Sequence, residues 1–354
     1  MRRLFLAFAV LLFFVLATMV AGLIWLTQSV VPARVQLGGY DSPQAVSVEV
    51  AIPPGASARS IGRVLKDHGV EVNPESFART ARLLGLHNQL QAGVYGFTQG
   101  SSIWQVLTVL SRGQELQESV TLLEGWTFGQ SLAALHSHPH ITKTLSGDAQ
   151  TVSRALAAEM GLAFATAEGW IFPDTYLFRR GQTDHDLLRR AVRLQKEILA
   201  EAWRQRSSRN LLRSPEDALV LASIIEKETQ AMQDRPRVSA VLQNRLRIGM
   251  RLQSDPTTIY GLGPSFDGNL RRKDLSHSSP YNTYRHKGLP PGPISNPGRL
   301  ALLAALQPAD SSALYFVAKG NGQSYFSHDL SQHNWAVNYY QRGIGQPPPA
   351  ERNL

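Results

Sequence analysis

The chain has no cysteine in its 354 residues. No disulfide framework can hold it, and no thiolate can act as nucleophile or metal ligand. The glycine loops that cradle nucleotide phosphates are missing, and so is the Gly-x-Ser-x-Gly elbow of serine hydrolases. Long hydrophobic runs are scarce: one lies at the N-terminus and none follows it. There is no lysine or arginine block either. The formal charge of +9 is spread along the chain. Diffuse positive charge fits anionic headgroups or an acidic polymer.

The one apolar run sets the expected compartment. Met1-Arg2-Arg3 precedes an uncharged segment from Leu4 to Leu26. As a helix rising about 1.5 Å per residue, that segment spans a hydrocarbon core of about 30 Å. Arg2 and Arg3 favour a cytoplasmic N-terminus. The alternative is a cleaved signal peptide, whose apolar region usually runs about 7–15 residues; Ala17, Ala21 and Gly22 leave room for cleavage. The expectation is a single-pass anchor in the cytoplasmic (inner) membrane. The bulk would then lie in the periplasm or outside the cell, where nucleic acid is no partner.

The remainder reads as an α+β chain with a small and a larger domain. Residues 1–30 hold the N-terminus and anchor, and 31–45, with two prolines and two glycines, read as a linker. Residues 46–122 read as a small α+β domain. Val46–Val50 alternates like a strand. Ser57 and Pro74 open helices, Gly93–Phe97 reads as a strand, Ser101-Ser102 opens a third helix, and Glu118–Leu123 closes with a strand. From 123 to 341 helices dominate, with expected spans near 127–137, 148–161, 183–207, 215–230, 234–248, 297–306 and 329–341. Leu314–Val317 and Gln323–Phe326 flank Gly320-Asn321-Gly322 and read as a late β-hairpin. Residues 342–354 read as a disordered, proline-rich tail.

The chemistry is suggested by Leu219–Thr229, where Glu226, Lys227 and Glu228 end an apolar helical run. Ser214-Pro215-Glu216-Asp217 marks the start, with an N-cap, an early proline and acids in the first turn. A carboxyl on a buried helix is desolvated, its pKa rises, and it can serve as a general acid. The rival reading is a solvated Glu-Lys-Glu helix end. Loops rich in Tyr, Trp, Asn, Gln and Asp recur around it, and apolar rings beside amides and carboxylates suit a carbohydrate; the rival reading is ordered turns and caps. His136, His138 and His140 alternate, and His328 and His333 lie five apart, but neither set has zinc spacing. No metal or cofactor is expected.

These residues resemble the YceG-like family, the endolytic murein transglycosylases of bacteria. The resemblance rests on Glu124-Gly125, Glu168-Gly169 with Phe172–Tyr176, Ala222–Thr229, Asn244-Arg245-Leu246, Leu252–Thr257, Tyr281–Tyr284, Gly288–Ile294 and His333-Asn334. It covers most of 46–341 in the family's order. It implies a LysM-like subdomain at 46–122 and a catalytic domain at 123–341. It implies cleavage of the MurNAc–GlcNAc β-1,4 bond within peptidoglycan strands, leaving 1,6-anhydroMurNAc ends and terminating strand growth. The implied acid is Glu226, the first Glu of Glu-Lys-Glu-Thr. Gln253, Asp255, Asn282, Tyr284 and Asn244 are the expected substrate-binding residues by motif membership. Glu168 is either part of the groove or a cap on backbone amides. The expected partners are glycan strands and a peptidoglycan synthase of the penicillin-binding protein class. Two alternatives remain: a muramidase-type hydrolase, and a non-catalytic glycan-binding scaffold.

Overall fold

The structure, a computed structural model, describes residues 2–31, 46–229 and 231–349, with side chains from residue 8 onward in the first segment and from residue 48 in the second. The chain divides into two units, 1–118 and 119–354.

The first unit begins with α1 (Arg2–Thr27), whose apolar side chains from Phe8 to Ile24 stand exposed. Phe8–Thr27 is long and apolar enough to cross a bilayer. The chain after α1 enters the small domain at once. Val30 N–H donates to Ser101 O at 2.9 Å, Glu71 N–H donates to Val30 O at 2.7 Å, and Gly100 N–H donates to Val31 O at 3.0 Å. Val31 is buried among the small-domain core residues. The expected linker at 31–45 lies almost wholly outside the described residues, yet the segment after α1 is already fastened to the small domain before it.

The small domain pairs β1 (Val46–Ile52) antiparallel with β2 (Gly93–Thr98). Between them run α2 (Ala58–Asp67) and α3 (Pro74–Leu83), and α4 (Ile103–Ser111) follows. Each helix begins where the sequence supplies a cap: Ser57, Asn73 and Ser102 accept from first-turn amides, with a full capping box at Ser102–Gln105. Such caps supply about 1 kcal/mol each. Val50, Ile61, Leu65, Phe77, Tyr95 and Leu107 form the core.

The second unit is mostly helical. β3 (Gln117–Thr121) carries the chain into it and pairs with β4 (Thr175–Arg179). Then come α5 (Phe128–Ser137), α6 (Ala149–Glu159), α7 (Asp184–Arg204), α8 (Pro215–Glu228), α9 (Arg235–Arg247), α10 (Asp255–Leu262) and α11 (Arg299–Leu306). β5 (Tyr315–Ala318) and β6 (Ser324–Ser327) form the late hairpin, and α12 (Leu330–Tyr340) packs on it. α8 is the hub, touching α7, α9, α10 and α11. Its residues Ala218 to Ile225 are all buried, which is why the run is apolar on every side.

The helices expected from sequence appear within a few residues of their spans. α10 does not follow from the sequence reading, because Pro256 and Gly261 mark it as loop. Here Pro256 sits in the first turn, where its missing N–H costs nothing. The tail also departs from expectation: residues through Pro349 are described and hydrogen-bonded.

Candidate active site

α8 ends in two carboxylates that point to different environments. At about 100° per residue, Glu226 and Glu228 stand roughly 200° apart around the helix. Glu226 is enclosed on one side. Arg235, at the start of α9, donates to it at 2.7 Å, and Gly298 N–H, at the cap of α11, donates to it at 3.0 Å. The two side chains of this ion pair are 5% and 6% exposed. Both carboxylate oxygens are occupied. Burial raises the Glu226 pKa, while Gly298 and Arg235 oppose that rise.

Glu228 faces the segment that leads into α10. Ser254 Oγ donates to it at 2.9 Å. Burial is the main cause that raises its pKa, to about 7; the Asp255 charge adds to the rise, and Ser254 and Arg245 oppose it. Glu228 and Glu226 are both half-buried as residues. A desolvated carboxyl whose pKa is raised toward neutrality can act as a general acid.

Of the expected site residues, Asp255 and Tyr284 face Glu228. Tyr284 O–H donates to Asp255 at 2.6 Å. Gln253 holds φ at 51°, the one described non-glycine residue in the left-handed region. That conformation costs about 1–3 kcal/mol and marks sites held by their surroundings. Gln253 N–H donates to Thr283 O at 3.2 Å, and the residue is exposed.

The two asparagines do other work. Asn282 is fully buried; its amide donates to Leu275 O and His277 O, and its oxygen accepts from Thr258 and Tyr284. Asn244 donates to Ser311 O and Ala313 O and accepts from Arg247. Asn282 has no group left for a sugar, and both asparagines fasten loops. Their hydrogen bonds position the 311–313 and 275–277 segments.

Arg245, Tyr315 and His333 form a flank that sequence reasoning missed. Arg245 donates to Leu314 O and Leu252 O, and its guanidinium lies 5.2 Å from the Tyr315 ring. His333 stacks on the other partner of that contact, Tyr315, at 5.2 Å. Burial and the Arg245 charge push the His333 pKa down. The Asn-Arg-Leu and His-Asn motifs contained this signal, but 88 residues of sequence separate Arg245 from His333 and hide the contact.

A groove of about 1100 Å³ opens at Lys227, the residue between the two glutamates. Lys227, Pro256, Tyr260, Tyr281, Phe128 and Glu168 line part of it. Tyr260 and Tyr281 lie 4.9 Å apart. Gly261 is needed here: a Cβ would meet Ser279 Oγ at 2.6 Å and Tyr281 Cβ at 3.3 Å. Glu168 is buried in the groove wall, accepting from Phe128 N–H at 2.8 Å and Tyr260 O–H at 3.3 Å. Both readings of Glu168 meet in this geometry, since it caps α5 and braces α10. Burial raises its pKa to about 7. Among the described residues no His, Asp and Glu group has the arrangement to hold a metal ion. His136 instead bonds Asp184 at 2.8 Å.

The YceG-like family model matches residues 50–339. The chain belongs to the YceG-like family. A protein of Bacillus subtilis named endolytic murein transglycosylase is 33% identical over 310 residues, covering 83% of this chain and 85% of the relative. One of Streptococcus pneumoniae with the same name is 27% identical over 318 residues, covering 81% of this chain and 57% of the relative. The solved structure of a YceG-like protein from Listeria monocytogenes is 29% identical, covers 81% of this chain and 98% of its own, and superposes with a TM-score of 0.48. The matched YceG-like region contains both α8 carboxylates, the groove and the Arg245–Tyr315–His333 flank.

Proposed function

We propose that this chain is a membrane-anchored endolytic lytic transglycosylase that cleaves the MurNAc–GlcNAc β-1,4 bond in nascent peptidoglycan strands, with Glu228 as acid and base. The observation that carries the mechanism is the Glu228 environment: a carboxyl whose pKa burial raises to about 7, bonded by Ser254 and facing the Asp255–Tyr284 pair. Membership in the YceG-like family and the names of its curated relatives support the substrate.

The reaction needs one carboxyl group. Protonated Glu228 gives its proton to the leaving glycosidic oxygen as the C1–O bond breaks. The carboxylate so formed takes the proton from the MurNAc C6 hydroxyl, and that oxygen closes on C1. The 1,6-anhydro ring forms, the enzyme regains its proton, and no water is consumed. Tyr284 and Ser254 fix the carboxylates, while Gln253 and Asp255 stand where they can meet the sugar. Tyr260 and Tyr281 offer ring edges and faces along the groove.

This reading takes Glu228 as the acid, where the resemblance implies Glu226. Glu226 gives both oxygens to Arg235 and Gly298 N–H, so it favours a carboxylate held in place over a proton donor. The strand–helix–helix–strand order of residues 46–98 supports the LysM-like reading of the small domain. The exposed apolar α1 supports the anchor. A synthase partner acting on the same nascent strands remains part of this reading.

Asp255 favours one second reading, a muramidase that uses it as the second carboxylate of a hydrolysis. Mass analysis of the products separates the two, because an anhydro end is one water lighter than a reducing end. Anhydro ends from purified strands support the transglycosylase, and reducing ends alone refute it.

A further inference from the structure

The late hairpin and α12 form a face whose occupant is visible. α12 is weakly held by its own packing: Ala336 is its one fully buried residue, in a small cluster with Val317 and Tyr325 apart from the main core. Trp335, on the same helix, is 45% exposed. Two aromatic donors on this face reach the chain beyond α12. Trp335 Nε1–H donates to Gln346 O at 2.8 Å, and Tyr325 O–H donates to Pro349 O at 3.1 Å. Tyr340 packs 6.1 Å from Tyr325, with Tyr339 at 5.0 Å from Tyr340. The chain gets there by a turn in which Ile344 N–H donates to Asn338 O at 2.8 Å.

The spacing of the accepted carbonyls has a physical meaning. Residues 346 and 349 are three apart, and a polyproline II helix has three residues per turn. Carbonyls three apart on such a helix face the same side, about 9 Å from one another. Pro347, Pro348 and Pro349 supply no N–H and hold φ near −65°, so this segment is preordered and has nothing to offer a β-ladder. Indole and phenol donors against proline-flanking carbonyls, with rings beside them, are the chemistry by which aromatic grooves hold polyproline segments.

We propose that the face built by Tyr325, Trp335 and Tyr340 is a polyproline II docking surface, and that Gln346–Pro349 of the same chain is its resident ligand. The segment is a strap that holds α12 on the hairpin. α12 also carries His333, which stacks on Tyr315, and Tyr315 contacts Arg245 beside Glu228. The strap therefore holds the outer layer of the flank that meets the acid.

The test uses the full-length chain and needs no assay of activity, so it stands apart from the proposed function. Hydrogen exchange is followed over residues 330–340 in the wild type, in a variant with Pro347→Gly, Pro348→Gly and Pro349→Gly, and in Trp335→Phe. The expected result is faster exchange of α12 by about fivefold or more in both variants, as two neutral hydrogen bonds are lost or weakened. A synthetic Gln-Pro-Pro-Pro peptide should restore protection to the triple-glycine chain and fail to restore it to Trp335→Phe. Unchanged exchange in the triple-glycine chain overturns the strap. Loss of protection that the peptide does not restore overturns the docking surface. Restoration in Trp335→Phe as strong as in the triple-glycine chain removes the indole from the recognition.

Discussion

At the scale of single residues, the proposed chemistry turns on two glutamates two residues apart on α8. Glu228→Gln keeps the side chain's size and removes its proton, and turnover should fall by at least about 100-fold, the lower bound for a positioned acid–base group. Its fold should survive, because a neutral amide suits a desolvated site. Glu226→Gln should behave in the opposite way. It breaks a pair in which both partners are nearly solvent-free, which typically costs about 3–5 kcal/mol. The folded fraction should keep most of its turnover per molecule. Melting temperature and single-turnover rate, measured on both variants, separate the roles; reversed results would return the acid to Glu226. The pH dependence follows from the same groups. Glu168 and Glu228 are raised from an ordinary 4.5 to about 7 in the folded chain. Between those values the folded state holds protons that the unfolded state has lost. Their contribution is full below 4.5 and is lost as pH rises through about 7. Glu168→Gln should flatten the alkaline fall in stability by an amount on the order of 3 kcal/mol, read from urea midpoints at a series of pH values. An unchanged slope would mean that Glu168 is ionised throughout.

At the scale of elements, loops matter as much as helices. Asn244 and Asn282 staple the 311–313 and 275–277 segments, so Asn244→Ala and Asn282→Ala should each lower stability by about 1–3 kcal/mol. Variants that melt like the wild type but bind strands poorly would reinstate them as substrate ligands. Gly261→Ala should push α10 from the 279–281 loop and reduce strand binding with little loss of melting temperature. Most of the helices were legible because they carry a cap and a period: Ser57, Asn73, Ser102, Asp148, Thr183 and Ser214 all accept first-turn amides. α10 was not, since Pro256 and Gly261 are loop signals unless the neighbours are known. The Glu-Lys-Glu motif was legible as a candidate site, but the choice between its carboxylates was not. That choice depends on Arg235, Gly298 and Ser254, and only the folded chain brings all three to the end of α8.

At the scale of the whole molecule, an exposed apolar helix leads straight into a small domain, and the acid lies in the second unit. Carbonate-washed membranes should retain the full-length chain if Phe8–Thr27 spans the bilayer; a soluble mature form would contradict the anchor. The central claim concerns the bond that is cut and how. It is tested most directly by digesting purified glycan strands with wild type and Glu228→Gln and weighing the products. The account predicts fragments with 1,6-anhydroMurNAc ends from the wild type and almost none from the variant. Fragments with reducing ends, or an undiminished anhydro yield from Glu228→Gln, would contradict it.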